Sequence, residues 1–148
     1  MINKSEILTH LNALVDEKIH SIQLRYDDLN NDLSSDHKSS AGDKHETGRA
    51  MTQLEQEKLA GQLNQLEQQK ETLSKIEINS PSKIQFGSLI KTSSGTFFMS
   101  IGLGKVEIKN APVFCVSTSS PAGQKLMDLT SGDSYEFNGI KNTILDVI

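Results

Sequence analysis

Two acidic residues near the middle of the chain have the type and the spacing to act together chemically. Asp43 and Glu46 are three residues apart, so on a helix both carboxylates can point to the same side. Such a pair can hold a hard divalent cation through oxygen ligands or through bound water. The same pair also fits a helix N-terminus, where an Asp N-cap and a Glu three residues later form a capping pair. The spacing alone leaves both interpretations open, and capping is the commoner.

Other motifs lack residues that their chemistry requires. Segment 28–39 begins like a calcium loop, but its sixth position, which must be Gly, is Leu33. The four His residues have no metal-ligand spacing with Cys115, which is the single cysteine and therefore cannot form an internal disulfide. Because Cys115 lies in an apolar run, we expect an inert buried thiol. No Walker loop, dinucleotide fingerprint or nucleophile elbow is present.

The composition excludes several classes of protein and divides the chain in two. Of the 148 residues 35% are hydrophobic, and the net charge of -4 argues against DNA binding by a basic surface. No apolar run of about 18 residues and no signal-peptide pattern occurs, so a cytoplasmic protein without membrane association is expected. Residues 1–78 hold 9 Lys and Arg against 14 Asp and Glu, whereas residues 79–148 hold 6 against 5. Segment 79–82 reads as the linker.

Residues 1–78 have the periodicity of an antiparallel coiled-coil hairpin. In a first run apolar residues recur every three or four positions, and after a polar tip at about residues 35–46 the periodicity resumes in a second run. The first run is Leu8, Leu11, Val15, Ile19, Ile22, Tyr26, Leu29 and Leu33, and the second is Met51, Leu54, Leu59, Leu63, Leu66, Leu73 and Ile76. Asn3 and Glu6 have the spacing of a capping box. A helix of about 28 residues would extend roughly 42 Å.

Residues 79–148 have the pattern of a compact antiparallel sheet with one short helix. Strands are predicted at 84–86, 89–90, 96–101 and 113–116, the last of them central. Ser120 and Pro121 can cap and start the helix. Asn138-Gly139 between apolar runs is the strongest hairpin signal, because this dipeptide suits a type I′ turn. The whole chain is therefore predicted to be an α+β protein of two parts.

Two separate motifs in these parts resemble the bacterial Gre family of transcript cleavage factors (GreA and GreB). Gly42, Asp43 and Glu46 match that family's Gly-Asp-Leu-Ser-Glu-Asn type of tip motif at the same spacing. Segment 116–133 looks like the family's strand that runs into Ser-Pro, a short helix and a Gly-Asp turn. The order of parts also fits, so the resemblance covers nearly the whole chain. It implies a C-terminal domain of FKBP-like fold.

The resemblance also implies a function. Gre factors bind RNA polymerase through the globular domain and insert the hairpin into its secondary channel. The tip acids, here Asp43 and Glu46, then help hold the second catalytic Mg²⁺ near the backtracked 3′ end of the nascent RNA. The polymerase performs the hydrolysis, so the factor would be no enzyme itself, would bind no cofactor alone, and would share Mg²⁺ only in the complex. DNA binding by the chain alone is not expected.

Differences from the family motif leave a second function open. Lys44 and His45 replace the family's Leu-Ser between the acids, and Arg49 stands where acidic or aromatic residues are usual. Lys44 would compete with a cation held by the acids, so a channel-binding regulator without cleavage activity is the alternative. Lys44 and Arg49 are candidate contacts to RNA phosphates or to an acidic channel wall, and Ser120 is a candidate polymerase contact. Prolyl isomerase activity, suggested by fold analogy alone, is the least favoured function.

Overall fold

The structure is a computed structural model that describes residues 2–36 and 43–148, with the side chains of residues 34–36 and 43–45 left out of the description. It divides into two compact units. One consists of Met1–Leu11 together with Thr72–Ile148, and the other is Asn12–Glu71. The predicted tip at about residues 35–46 lies partly outside the described residues. None of the described helices is long and apolar enough to span a membrane.

Two long helices of similar length confirm the predicted hairpin. Helix α1 spans Lys4–Asp36 and helix α2 spans Asp43–Ser74. Every residue of the apolar stripe predicted for α1 is buried or half-buried, and from Asp16 to Asp32 all the other residues are exposed. This pattern of steps of three and four is the seam of a helix packed on one neighbour. Within the unit Asn12–Glu71, the most buried residues of this seam are Val15 of α1 and Leu59 of α2.

The stripe predicted for α2 is wrong at its first two positions. Met51 and Leu54 are 66% and 64% exposed. The residues that are buried or half-buried in this part of α2 are polar, and they are Arg49, Thr52, Glu55 and Gln56. A helical period continued from Leu59 toward the start of α2 reaches these positions and passes by Met51 and Leu54. The seam near the start of α2 is therefore polar on the α2 side.

Polar contacts across the hairpin fix its antiparallel register. Lys70 Nζ lies 2.6 Å from Asp16 Oδ1, and Arg25 Nη2 lies 3.1 Å from Glu55 Oε1. Early positions of α1 thus meet late positions of α2. These ion pairs are largely exposed, and exposed pairs contribute about 0–1 kcal/mol each. They specify the alignment of the two helices more than they stabilise it.

A capping box begins α1, as the sequence predicts. Asn3 Oδ1 accepts from the Glu6 amide at 2.8 Å, and Glu6 Oε2 accepts from the Asn3 amide at 3.2 Å. The other oxygen, Glu6 Oε1, accepts from Lys109 Nζ at 2.8 Å. The hydrogen bond from Lys109, followed by that from the Asn3 backbone, lowers the pKa of Glu6. One carboxylate therefore both caps α1 and ties it to the sheet domain.

Replacing Glu6 by Gln should destabilise the protein at neutral pH and not in acid. Because the folded state lowers the pKa of Glu6, its contribution is present above the ordinary carboxylate pKa of about 4.3 and is lost as the pH falls through the folded value. Gln preserves the capping box, so the change reports on the pairing with Lys109. Urea unfolding at pH 7 and at acid pH measures the effect. Equal loss at both pH values would contradict this account, and exposed Glu17→Gln on the same helix is the control.

Six strands form one sheet in the order β3-β4-β2-β1-β6-β5. In chain order they are β1 Leu89–Thr92, β2 Gly95–Met99, β3 Gly104–Ile108, β4 Ala111–Val116, β5 Ser134–Phe137 and β6 Ile140–Val147, with helix α3 at Pro121–Leu126 between β4 and β5. All neighbours are antiparallel except β2 and β4, which are parallel. The predicted α+β class is thus confirmed, with one parallel pair that the sequence did not reveal.

Individual strand predictions differ in outcome. The interior strand at 113–116 is confirmed as part of β4, which lies between β3 and β2. The predicted strand at 84–86 is absent; only an isolated bridge joins Lys83 to Thr130 there. Strand β3 was not predicted, because Lys and Glu interrupt its apolar residues.

Two tight turns connect neighbouring strands of the sheet. Asn138 and Gly139 have φ of 53° and 78° and join β5 to β6, as predicted for a type I′ turn. Lys109 and Asn110, with φ of 51° and 64°, make a similar two-residue turn between β3 and β4. The second turn holds a lysine where glycine or asparagine is favoured. Lys109, the unusual residue of this turn, is also the residue that donates a hydrogen bond to Glu6 of α1.

The two faces of the sheet hold separate groups of buried side chains. On one face Ile84, Ile90, Met99, Leu126 and Ile144 form a cluster, with Leu126 contributed by α3. Strand alternation and the registers of β1, β2 and β4 place Leu89, Phe98, Val113 and Cys115 on the opposite face. All four are almost fully buried. Ile7 of α1 lies with Leu89 and Val113 around a cleft on that face.

Candidate functional site

The acidic pair lies in the first turn of α2. This helix begins at Asp43, and Glu46 follows three residues later, close to one turn along the helix. The Glu46 side chain is exposed and makes no hydrogen bond or ion pair with the described side chains. The Asp43 side chain lies outside the description. The helical backbone over 43–46 is the geometry that the predicted pair requires, and it equally suits acids at a helix N-terminus.

Lys44 and Arg49, the two basic residues predicted beside the acids, both lie on α2. Lys44 belongs to the same helical turn, and its side chain is outside the description. Arg49 is half-buried and lies at one of the positions that form the polar end of the α2 seam. Arg49 is thus less exposed than Glu46, which is open to solvent. A contact from Arg49 to RNA phosphates or to an acidic channel wall stays a prediction.

The donor set at this turn fits a hard cation bound jointly with other ligands. Carboxylate oxygens are the ligands that Mg²⁺ prefers, and this ion is typically bound by one or two protein carboxylates together with water and phosphate oxygens. Among the side chains that the structure describes, no three His, Cys, Asp or Glu groups cluster as a complete metal site. A metal site that includes Asp43 and Glu46 stays a prediction, because the Asp43 side chain lies outside the description.

Ser120 has a structural role in the sheet domain. Its Oγ accepts from the Gly123 amide at 3.0 Å and donates to the Ser117 carbonyl at 2.7 Å, which makes it the N-cap of α3. This confirms the predicted cap, with Pro121 at the start of the helix. A polymerase contact through Ser120 stays a prediction. Any substitution of Ser120 would test the cap and the contact together.

Cys115 is free and buried, as the sequence predicts. Burial raises the pKa of its thiol to about 11, against a smaller lowering by a hydrogen bond with Ser100. At pH 8 only about one molecule in a thousand would carry the reactive thiolate. We expect Ellman's reagent to label the native protein at least 100-fold more slowly than the urea-unfolded protein. Rapid labelling of the native protein would contradict the buried placement.

Sequence reasoning passed over three residues that the structure distinguishes. Met51 and Leu54 lie on the exposed side of α2, although their leucine-like spacing suggested the seam. The signal that could have placed them outside is the run of polar residues at the seam positions between Arg49 and Leu59. Lys4 is the third, because it is almost fully buried near the start of α1. No pattern in the sequence distinguishes Lys4 from the exposed lysines.

No protein-family model and no curated protein matches the chain. Solved structures do match. The crystal structure of GreA factor homolog 1 (Gfh1) from Thermus thermophilus is 17% identical, covers 93% of this chain and 94% of its own, and has a TM-score of 0.37. The chain is similar over nearly its whole length to a Gre-factor homologue.

Two further structures agree with the first. One, described as the transcription factor Gfh1, is 18% identical over 92% of each chain with a TM-score of 0.36. The other, Gfh1 from Thermus aquaticus, is 14% identical over 91% of this chain and 92% of its own, with a TM-score of 0.34.

Proposed function

We propose that this chain is a transcription factor of the Gre type that binds RNA polymerase and stimulates cleavage of backtracked RNA. The observation that carries the proposal is the placement of Asp43 and Glu46 in the first turn of α2, at the turn end of a hairpin of 33- and 32-residue helices. The sequence motif around these acids and segment 116–133 support it independently, because they lie in different parts of the chain.

The hairpin suits the task of carrying an acidic pair into a narrow channel. Helix α1 alone is about 50 Å long at 1.5 Å per residue. The cross-helix ion pairs of Arg25 with Glu55 and of Lys70 with Asp16 hold the two helices in one alignment. A pair of carboxylates in the first turn of α2 is positioned by helical backbone, which holds side chains more precisely than a loop does.

In the proposed complex the chain completes an active site that belongs to the polymerase. Asp43 and Glu46 would bind and orient a shared Mg²⁺ through their carboxylate oxygens. A metal ion at that position lowers the pKa of bound water and stabilises negative charge that develops on phosphate oxygens. The chain's own contribution is to place two negative oxygen ligands, with Glu46 already open to solvent. It needs no catalytic residue of its own.

The test is a pair of assays with purified RNA polymerase. The protein should co-purify with the polymerase, and in a stalled, backtracked elongation complex it should accelerate Mg²⁺-dependent shortening of labelled RNA from its 3′ end. Polymerase without the protein measures intrinsic cleavage. Absence of binding would overturn the proposal altogether.

A regulator that binds the channel without promoting cleavage is the second candidate. The observation that favours it is the position of Lys44 inside the same helical turn as both acids. A lysine ammonium near the two carboxylates would repel a metal cation and so weaken metal binding. This function predicts polymerase binding with unchanged RNA cleavage and with altered initiation or nucleotide addition. Lys44→Leu should then restore cleavage, whereas in a cleavage factor it should change the rate little.

A further inference from the structure

A concave cleft lies where the start of α1 meets the segment that follows α2. Its volume is about 280 Å³, and all its lining residues belong to the unit formed by Met1–Leu11 and Thr72–Ile148. The walls are mainly apolar, and Ile2, Lys4, Ile78, Leu89 and Ile148 are among the lining residues. No acidic residue is among the described residues that line it. The volume is at the small end of the range for small-molecule pockets.

Lys4 is the unusual residue of this cleft. It is only 4% exposed, although lysine is among the residues that are almost never fully buried without a partner. Its Nζ donates to the Asn79 backbone carbonyl at 2.6 Å. An ammonium group has three hydrogens, and this carbonyl is the one acceptor that it has among the described residues. Burial lowers the pKa of Lys4.

One neutral carbonyl does not compensate for the burial of an ammonium group. A buried charge is ordinarily paired with an opposite charge, because removing it from water is unfavourable. Even the largely exposed Lys109 of the same unit has a carboxylate partner, Glu6. Lys4 has no carboxylate partner among the described residues. Its surroundings thus combine a cation that has no side-chain carboxylate partner among the described residues with a mainly apolar wall.

We propose that this cleft binds a small aliphatic monocarboxylate. Its carboxylate accepts hydrogen bonds from Lys4 Nζ, and its alkyl chain contacts the side chains of Ile78, Leu89 and Ile148. A single ammonium fits one monoanionic group, since phosphate recognition favours several donors or the bidentate fork of arginine. The apolar walls favour an alkyl chain over a fully hydrated anion. The site is separate from the acidic pair and does not rest on the proposed function.

The test is a titration of the full-length protein with octanoate, followed by the chemical shifts of its backbone amides. Amides at the cleft, such as Ser5, Ser80 and Leu89, should shift together and saturate. Acetate, which has the charge without the chain, and 1-octanol, which has the chain without the charge, should each bind at least tenfold more weakly. Equal affinity for octanoate and 1-octanol would overturn the proposal, and so would shifts confined to residues away from the cleft.

Substitutions separate ligand binding from a purely structural role of Lys4. Lys4→Met keeps an unbranched apolar stem and removes the ammonium group, and it should weaken octanoate binding about tenfold or more, as expected for loss of a charged hydrogen bond. Exposed Lys18→Met on the same helix is the matched control and should bind like the wild type. A Lys4→Met protein that folds and binds octanoate unchanged would overturn the proposal.

A second pair of variants tests the site with Lys4 intact. Ile78 lines the cleft and is 66% exposed, so it tolerates polar replacement. Ile78→Glu places a carboxylate at the cleft that competes with the ligand, and it should weaken octanoate binding about tenfold relative to Ile78→Gln. Equal binding by these two variants would contradict a charge-dependent site, even where Lys4→Met fails to fold.

Discussion

Replacing Asp43 by Asn, or Glu46 by Gln, should reduce stimulated RNA cleavage on the order of 100-fold while polymerase binding stays nearly unchanged. Each substitution removes one negative oxygen ligand and preserves the size of the side chain. A cation shared in the complex would lose part of its shell, and a 100-fold loss corresponds to about 2.7 kcal/mol of transition-state stabilisation. The measurement is the single-turnover rate of RNA shortening in a backtracked complex at saturating protein.

The control for this prediction is an acid elsewhere on the same helix. Glu67 of α2 is exposed and lies far along the helix from its first turn, so Glu67→Gln should leave cleavage unchanged. Raising the Mg²⁺ concentration should partly restore the rate of the Asp43 and Glu46 variants, because weaker coordination is offset by mass action. If both variants stimulate cleavage like the wild type, the acids merely cap α2 and the metal-binding mechanism is wrong.

The second large effect is expected at Gly123, where an added methyl group has no room. A Cβ atom there would overlap the Ser117 carbonyl oxygen and lie 3.0 Å from Ser120 Oγ. These are the atoms of the α3 cap, because Ser120 Oγ donates to the Ser117 carbonyl and accepts from the Gly123 amide. Gly123→Ala must therefore displace backbone and break the cap, which should cost about 3 kcal/mol. Urea unfolding followed by circular dichroism measures it.

A second glycine of the same unit provides the comparison. Gly102 is exposed and would place a Cβ with no atom within 4 Å, so Gly102→Ala should change the free energy of unfolding by no more than about 0.5 kcal/mol. Hydrogen exchange should place the loss from Gly123→Ala in α3 and its neighbouring strands. A stability of Gly123→Ala equal to that of Gly102→Ala would show that the segment 117–123 can relax around the methyl group.

Much of the fold follows from local patterns. The three-and-four spacing from Leu8 to Leu33 predicts α1, because one apolar stripe specifies both the helix and the face that packs. Asn3 with Glu6, Ser120 with Pro121, and Asn138 with Gly139 specify caps and a turn through their own backbone geometry. The candidate acids are recognised in the same local way, since their spacing on a helix is fixed by its period.

Non-local pairing accounts for what the sequence did not reveal. The parallel pairing of β2 with β4 brings together strands separated by β3, and no local signal encodes which strands become neighbours. Met51 and Leu54 carry the residue types of a seam, yet the register of α2 against α1 leaves them exposed.

For the sites, the sequence by itself determined a hairpin, a sheet domain and an acidic pair three residues apart. Only the tertiary structure decided that Lys4 is buried in an apolar cleft and that Glu6 meets Lys109. Their partners are 75 and 103 residues away along the chain. Burial and charge pairing depend on what the folded chain brings together, and residue type at one position does not contain that information.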